Sequence, residues 1–154
     1  MKIVVDSNIV FSAILNTKGK IGQLIINGSE FFNFYSIALL KEEIMEHKAK
    51  ILKITGLKEK QFEEVFQIII SRIKFIDDIV LSAEKIKEAE NLVLGIDNDD
   101  TMFVALNNYL SAKLWTGDKQ LIKGLKKKEY FQTITTDELH AIFLEKKLKK
   151  EKKK

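Results

Sequence analysis

The chain has 154 residues, 45% of them hydrophobic and 31% charged, which is enough apolar material for one buried core and too much for a disordered body. It has no cysteine and only two histidines, His47 and His140, so disulfides, thiolate chemistry and a nitrogen-rich zinc site are excluded. The net charge of +4 belongs to the end of the chain: residues 146–154 hold seven Lys against Glu151 alone, which leaves residues 1–145 at −2.

No apolar run approaches the ~20 residues needed to cross a bilayer. No basic segment followed by an apolar stretch opens the chain, so no membrane partner and a cytoplasmic location are expected. The absence of proline means that element boundaries must be read from Gly, Asn, Asp and changes of period. Lys2 to Val5 is a short β-branched run, read as a buried strand that ends at Asp6. Ser7 to Leu15 is helical, Asn16 to Gly19 a turn, and Ile21 to Ile26 a second helix stopped at Asn27-Gly28. Phe31 to Tyr35 suits a second strand. From Ile37 to about Leu52 one helix is expected, because Ile37, Leu40, Ile44 and Ile51 share a stripe, and Gly56 ends it.

Lys58 to Arg72 carries Phe62, Val65, Phe66, Ile69 and Ile70 at helical spacing. Lys74 to Ile76 reads as a strand and Ser82 to Leu94 as a helix closed by Gly95. Asp97 to Asp100 opens a helix that continues through Leu110. Lys113 to Thr116 is a strand, Lys119 to Leu125 a short helix, and Phe131 to Ile134 a strand. Thr136-Asp137-Glu138 caps a last helix that runs into the lysines. Short apolar strands alternating with longer helices predict an α/β sandwich on a mostly parallel sheet, as one domain over residues 1–145 with a lysine-rich tail over 146–154. The tail could hold phosphates by counterion release or be a solvated helix end.

In open parallel sheets, ligands collect beyond the carboxyl ends of the strands. Two strands here end in acids, one at Asp6 and one through Gly117 at Asp118. A third acidic group, Asp97-Asn98-Asp99-Asp100, heads a helix. Each acid alone could be a helix N-cap. Gathered at one sheet edge they would repel one another unless a cation joined them, and oxygen ligands without His or Cys suit Mg²⁺ or Mn²⁺. On the helix after the second strand, stepping ~100° per residue puts Glu43 at the boundary of the Leu40/Ile44 stripe and Glu42 on the opposite side. A carboxylate at that boundary needs a partner, either a lysine or a metal.

Four motifs then fall in order: Val4-Val5-Asp6-Ser7-Asn8; Ser36 to Ile44 with Leu39-Leu40 before Glu43; Asp97-Asn98-Asp99-Asp100-Thr101-Met102-Phe103-Val104-Ala105-Leu106; and Leu114-Trp115-Thr116-Gly117-Asp118-Lys119. Together they resemble the PIN-domain family of metal-dependent ribonucleases over about residues 1–140. The resemblance implies a three-layer α/β/α sandwich with a parallel central sheet and one or two Mg²⁺ or Mn²⁺ ions at the strand ends. Carried onto this chain, it implies Asp6, Glu43, Asp100 and Asp118 as catalytic acids. It also implies Asp97 as a further metal ligand beside Asp6, Asp100 and Asp118, and Ser7, Asn8 and Thr116 as supporting polar residues.

The implied activity is endonucleolytic cleavage of single-stranded RNA by metal-activated water, leaving a 5′ phosphate, with no protein nucleophile. An acidic site needs cations nearby to hold a polyanion, and Lys119 and Lys123, with Lys126, Lys127 and Lys128, are the candidates for phosphate contacts. The toxin of a toxin–antitoxin pair is one form of this reading, with an antitoxin protein as partner and a second copy of the chain as another. The alternative is a non-catalytic PIN-fold RNA-binding or interaction module. A phosphohydrolase of the haloacid-dehalogenase type would require Asp at position 8, where this chain has Asn. His47 is expected in the core or at its boundary, and Trp115 in the core.

Overall fold

In the computed structural model, which describes residues 1–153, Lys2–Val5 (β1) lies at the centre of a parallel sheet, with Ile3, Val4 and Val5 fully buried. Lys154, the last residue of the expected tail, lies outside the described residues. A strand covered on both faces needs a continuous apolar run, and β1 supplies it. Helices α1 (Ser7–Leu15) and α2 (Lys20–Gly28) follow and meet at 104°. The chain continues through β2 (Asn33–Ile37), α3 (Leu39–Glu46), α4 (Lys48–Thr55), α5 (Glu59–Ser71) and β3 (Ile73–Ile76). After a 3-10 turn at Asp78–Val80 come α6 (Ala83–Val93), a second 3-10 turn at Asn98–Asp100, and α7 (Thr101–Leu110). The last elements are β4 (Lys113–Trp115), α8 (Lys119–Lys127), β5 (Thr133–Ile134) and α9 (Thr136–Lys152).

The strand order is β3-β2-β1-β4-β5, and every pairing is parallel. The chain winds outward from β1 in one direction through β2 and β3, then in the other through β4 and β5. Right-handed crossovers therefore place their helices on opposite faces. In agreement, α1, α2, α5 and α9 pack on one another, while α6 and α7 form a second layer joined by α8. This is the three-layer α/β/α sandwich expected, with Trp115, Phe62, Leu106 and Leu114 among its buried residues. Among the described residues, no single helix is long and apolar enough to cross a membrane.

Several boundaries differ from the sequence reading. The second strand is Asn33–Ile37, two residues later than expected. Phe32, only 2% exposed, packs in the core ahead of the ladder, so an apolar residue there does not signal strand pairing. The single helix expected from Ile37 to Leu52 is two, broken at His47, whose φ of −95° and ψ of 10° leave the helical range. The break redirects α4 so that Ile51 returns to the core, and it leaves His47 exposed, its ring 5.7 Å from that of Phe11. Gly56 at φ 72° closes α4, a left-handed cap that glycine adopts without strain.

The last helix is capped by Thr135, not Thr136. The Thr135 hydroxyl accepts from the Glu138 amide at 3.2 Å, and the Glu138 carboxylate accepts from the Thr135 amide at 3.1 Å. Residues 146–152 are part of α9 itself, so the helix includes most of the lysine-rich stretch.

Candidate active site

The acids stand where the winding reverses. β1 and β4 are neighbours that lead to helices on opposite faces, and such a switch point opens a crevice at the carboxyl edge of the sheet. Asp6 leaves β1 there, and its amide donates to the Trp115 carbonyl of β4 at 3.4 Å. Asp118 leaves β4 at the same edge. The loop from Asp97 to Asp100, between α6 and α7, brings a third segment over them.

Three of these carboxylates also cap helical turns, each with Oδ1. Asp6 accepts from the Ile9 amide at 3.0 Å, Asp97 from the Asp99 amide at 3.0 Å, and Asp118 from the Gln120 and Leu121 amides, both at 3.0 Å. The N-cap reading of these acids is therefore correct as far as one oxygen goes. Asp100 is different: it heads α7 but makes no side-chain capping bond. Asp97, Asp100 and Asp118, all partly buried, offer oxygens that lie within 4.8 Å of one another. Asp6 and Glu43 are outside this triad; the Asp6 charge acts on Asp100 and that of Asp118 on Asp6, while Glu43 is influenced by Asp99 beside the triad.

The electrostatics follow from the crowding. Burial pushes the Asp100 carboxyl up to about 7, reinforced by the charges of Asp6, Asp97, Asp118 and Asp99. Asp6 is 2% exposed, and burial likewise raises its carboxyl, with the Asp118 charge adding to it. Hydrogen bonds from the Thr116 hydroxyl and the Ile9 and Asn8 amides oppose that rise. Glu43 on α3 is raised by burial first, then by Glu46 and Asp99, while His47 acts in the opposite sense. Among the described residues Glu43 makes no ion pair with a lysine, so the structural salt bridge that would explain its position is not formed. Glu42 is exposed, as the helical geometry predicts. Among the described residues, none of these five acids forms an ion pair with Lys or Arg.

The supporting residues divide. Thr116 is fully buried; its hydroxyl accepts from the Asp118 amide at 3.1 Å and bonds to Asp6, so one side chain ties the two strand-end acids together. Ser7 is half-buried in the first turn of α1, and Asn8 is exposed there, contributing its backbone amide to Asp6. Two positions escaped the sequence reading. Buried Ser36 of β2 donates to the Val5 carbonyl at 2.7 Å and pins the end of β1 just before Asp6. Gly124 on α8 lets Ile96 lie against that helix, since a Cβ there would stand 2.5 Å from Ile96 Cδ1. The close approach anchors the loop that begins at Asp97 beside the helix that begins at Asp118.

Lys119 and Lys123 are exposed on α8, and with Ile122, Lys126, Lys127 and Thr135 they line an open groove of about 540 Å³ that starts beside Asp118. Lys128 is not part of it, which corrects its inclusion among the candidate phosphate contacts. Its ammonium donates to the carbonyls of Asn91, Leu92 and Leu94 at 3.0, 2.8 and 2.8 Å, closing the carboxyl end of α6. Trp115 is core, as expected, with its indole N–H donating to the Thr136 hydroxyl at 3.0 Å.

A divalent cation fits the triad. The donor set is entirely carboxylate oxygen, it has no ammonium counterion, and its mutual repulsion is unrelieved.

The profile of the PIN domain matches residues 4–143. Three chains among solved structures match as well. One belongs to VapBC2 from Rickettsia felis, bound to a DNA fragment from their promoter, with a TM-score of 0.62 and 18% identity over 88% of this chain and 97% of that one. Likeness at that identity speaks for the fold. Among curated proteins, none matches the chain.

Proposed function

The chain belongs to the PIN-domain family, and from that premise we propose that it is a Mg²⁺- or Mn²⁺-dependent endoribonuclease that cleaves single-stranded RNA at the acid cluster. The observation that carries the reading is the triad Asp97, Asp100 and Asp118, with oxygens within 4.8 Å and, among the described residues, no ion pair to neutralise them. Asp97, Asp100 and Asp118 hold the ion, with Asp6 completing the set. When bound, the ion supplies charge neutralisation at a phosphodiester and a lowered pKa for water.

The remaining work falls to the chain's own groups. Thr116 and the Ile9 amide orient the Asp6 carboxylate, which stays fixed because Ser36 and the Trp115 carbonyl hold the end of β1. Glu43, raised by burial and neighbouring acids, accepts a proton more readily than an ordinary glutamate and is the group suited to move one at the cluster's edge. Lys119 and Lys123 bind the phosphates that flank the scissile bond. We extend the reading to the toxin of a toxin–antitoxin pair. The fold likeness to a VapBC2 chain supports it, and an antitoxin would silence the site by inserting a basic side chain among the acids.

Asp6→Asn and Asp100→Asn are each expected to abolish Mn²⁺-dependent cleavage of single-stranded RNA while the circular dichroism spectrum stays that of the parent. Unaltered cleavage by both variants at matched purity would overturn the assignment. RNA binding without cleavage by the parent would favour a non-catalytic module. A small protein encoded beside this chain that binds it and stops cleavage is the result expected of an antitoxin.

A further inference from the structure

All strands are parallel, so the acids occupy one edge of the sheet, and the opposite, amino edge is a separate surface. Helix α9 connects the two. It starts at the carboxyl end of β5, where Asp137 in its first turn pairs with Lys20 at 3.1 Å. Near its other end Lys150 pairs with Glu30, three residues before β2 begins, and Asn33 at that start donates to the Met1 carbonyl at 2.9 Å. The lysine-rich end of α9 therefore lies at the amino edge. A helix of 17 residues spans ~25 Å, so that end is far from the acid cluster.

The charge at this edge is concentrated. Of the lysines from 146 to 153, only Lys149 (to Glu145) and Lys150 (to Glu30) form ion pairs among the described residues, and Lys147, Lys152 and Lys153 are exposed. Next to Glu30, a second feature continues the strip: an open cleft of about 390 Å³ between β2 and β3, lined by Ser29, Asn33, Arg72 and Lys74. Arg72 and Lys74 are exposed and also without an ion pair among the described residues. Basic side chains from α9, the end of α5 and β3 thus meet on one edge, although residues 1–145 taken together are net negative.

We infer that this amino edge is a second, non-catalytic RNA-binding surface, which holds the backbone of a single strand whose scissile bond sits at the acid edge. The inference rests on the RNA-cleaving reading for its ligand. Its recognition is electrostatic, because ammonium and guanidinium groups without ion pairs among the described residues meet phosphates. The distance sets a length rule. A stacked strand advances ~3.4 Å per nucleotide, so ~7 or more nucleotides are needed to reach from one edge to the other. Short RNAs occupy one edge at a time, and long ones engage both.

The test compares the full chain with a Lys147→Gln/Lys152→Gln/Lys153→Gln variant and with the matching Lys→Arg variant. Binding of fluorescein-labelled single-stranded RNAs of about 5 and about 24 nucleotides is read by anisotropy in EDTA over a range of salt. The Gln variant is expected to weaken binding of the longer RNA about tenfold at low salt and to lower its salt slope by ~2, at ~0.7 per phosphate contact. The shorter RNA, which cannot bridge the two edges, is expected to lose clearly less, and the Arg variant to restore the parent. Equal losses for both lengths, or no loss for the longer RNA, would overturn the inference. So would charge-dependent binding to anionic lipid vesicles with none to RNA. Length-dependent binding through these lysines without Mn²⁺-dependent cleavage would refute the nuclease reading and leave the second surface standing.

Discussion

Replacing Asp100 by Asn is predicted to stabilise the metal-free protein at pH 8 and to leave it unchanged near pH 4. Burial first, and then the charges of Asp6, Asp97, Asp118 and Asp99, raise the Asp100 carboxyl from 3.8 to about 7. An acid raised on folding binds its proton more tightly in the native state, so stability declines as pH climbs from about 4 to 7 and is flat above. The raise of about three pKa units sets a ceiling of ~4 kcal/mol. Asp100 is only partly buried and solvent screens its neighbours, so less than half of that survives, ~1–2 kcal/mol. Nothing offsets the gain, because Asp100 makes no capping bond that Asn would lose. In a chain of this size, ~1–2 kcal/mol is a rise of about 2–8 °C in melting temperature. Thermal or urea unfolding in EDTA at pH 4, 6 and 8 measures it. Saturating Mn²⁺ should reverse the ranking, raising the melting temperature of the parent and hardly that of the variant. An Asp100→Asn protein less stable than the parent at pH 8, or a gain independent of pH, would refute the account of the site as a strained cage of like charges.

The same raised carboxyl makes metal binding proton-coupled: Mn²⁺ affinity should increase as pH rises toward about 7 and level off above, and calorimetry in buffers of different ionisation enthalpy should detect about one proton released below that pH. Lys128→Met should cost ~1 kcal/mol of stability by leaving three carbonyls of α6 unpaired, with RNA affinity unchanged. Lys123→Gln should do the reverse, weakening RNA binding while the melting temperature stays constant. Gly124→Val should push Ile96 off α8 and weaken Mn²⁺ binding measurably without altering any carboxylate. An unchanged Mn²⁺ titration would show that the close approach does not position the acid loop.

The parts of the fold that read directly from the sequence are those where one local signal decides. Ile3-Val4-Val5 is a continuous apolar run because a central parallel strand is covered twice, and the acid after it is conspicuous for that reason. Helices α1, α5, α6 and α7 announce themselves by period and by their terminal Ser, Asp or Gly. The break at His47 has no such signal, since Leu40, Ile44 and Ile51 keep a helical period straight through it. Ser36 lies just beyond the apolar run from which the second strand is read, and its partner, the Val5 carbonyl, is 31 residues away in sequence. Lys128 sits in a run of three lysines that composition cannot separate; only the position of α6 gives it a different task. For the site, the acids were legible as a set, whereas the division of labour among their oxygens was not. Which atom caps a turn and which faces its neighbours depends on loop geometry that spacing does not encode.

The placing of β1 between β2 and β4 has a consequence during synthesis. The strand at the middle of the sheet precedes one of its two hydrogen-bonded neighbours by about a hundred residues, since β4 begins only at Lys113. A nascent or prematurely terminated chain that stops before that point carries Asp6 and Glu43 but lacks the strand and the Asp118 turn against which they are arranged. The acid cluster therefore cannot be assembled piecemeal: until β4 and the turn at Asp118 are made, Asp6 has no neighbouring strand end to be arranged against.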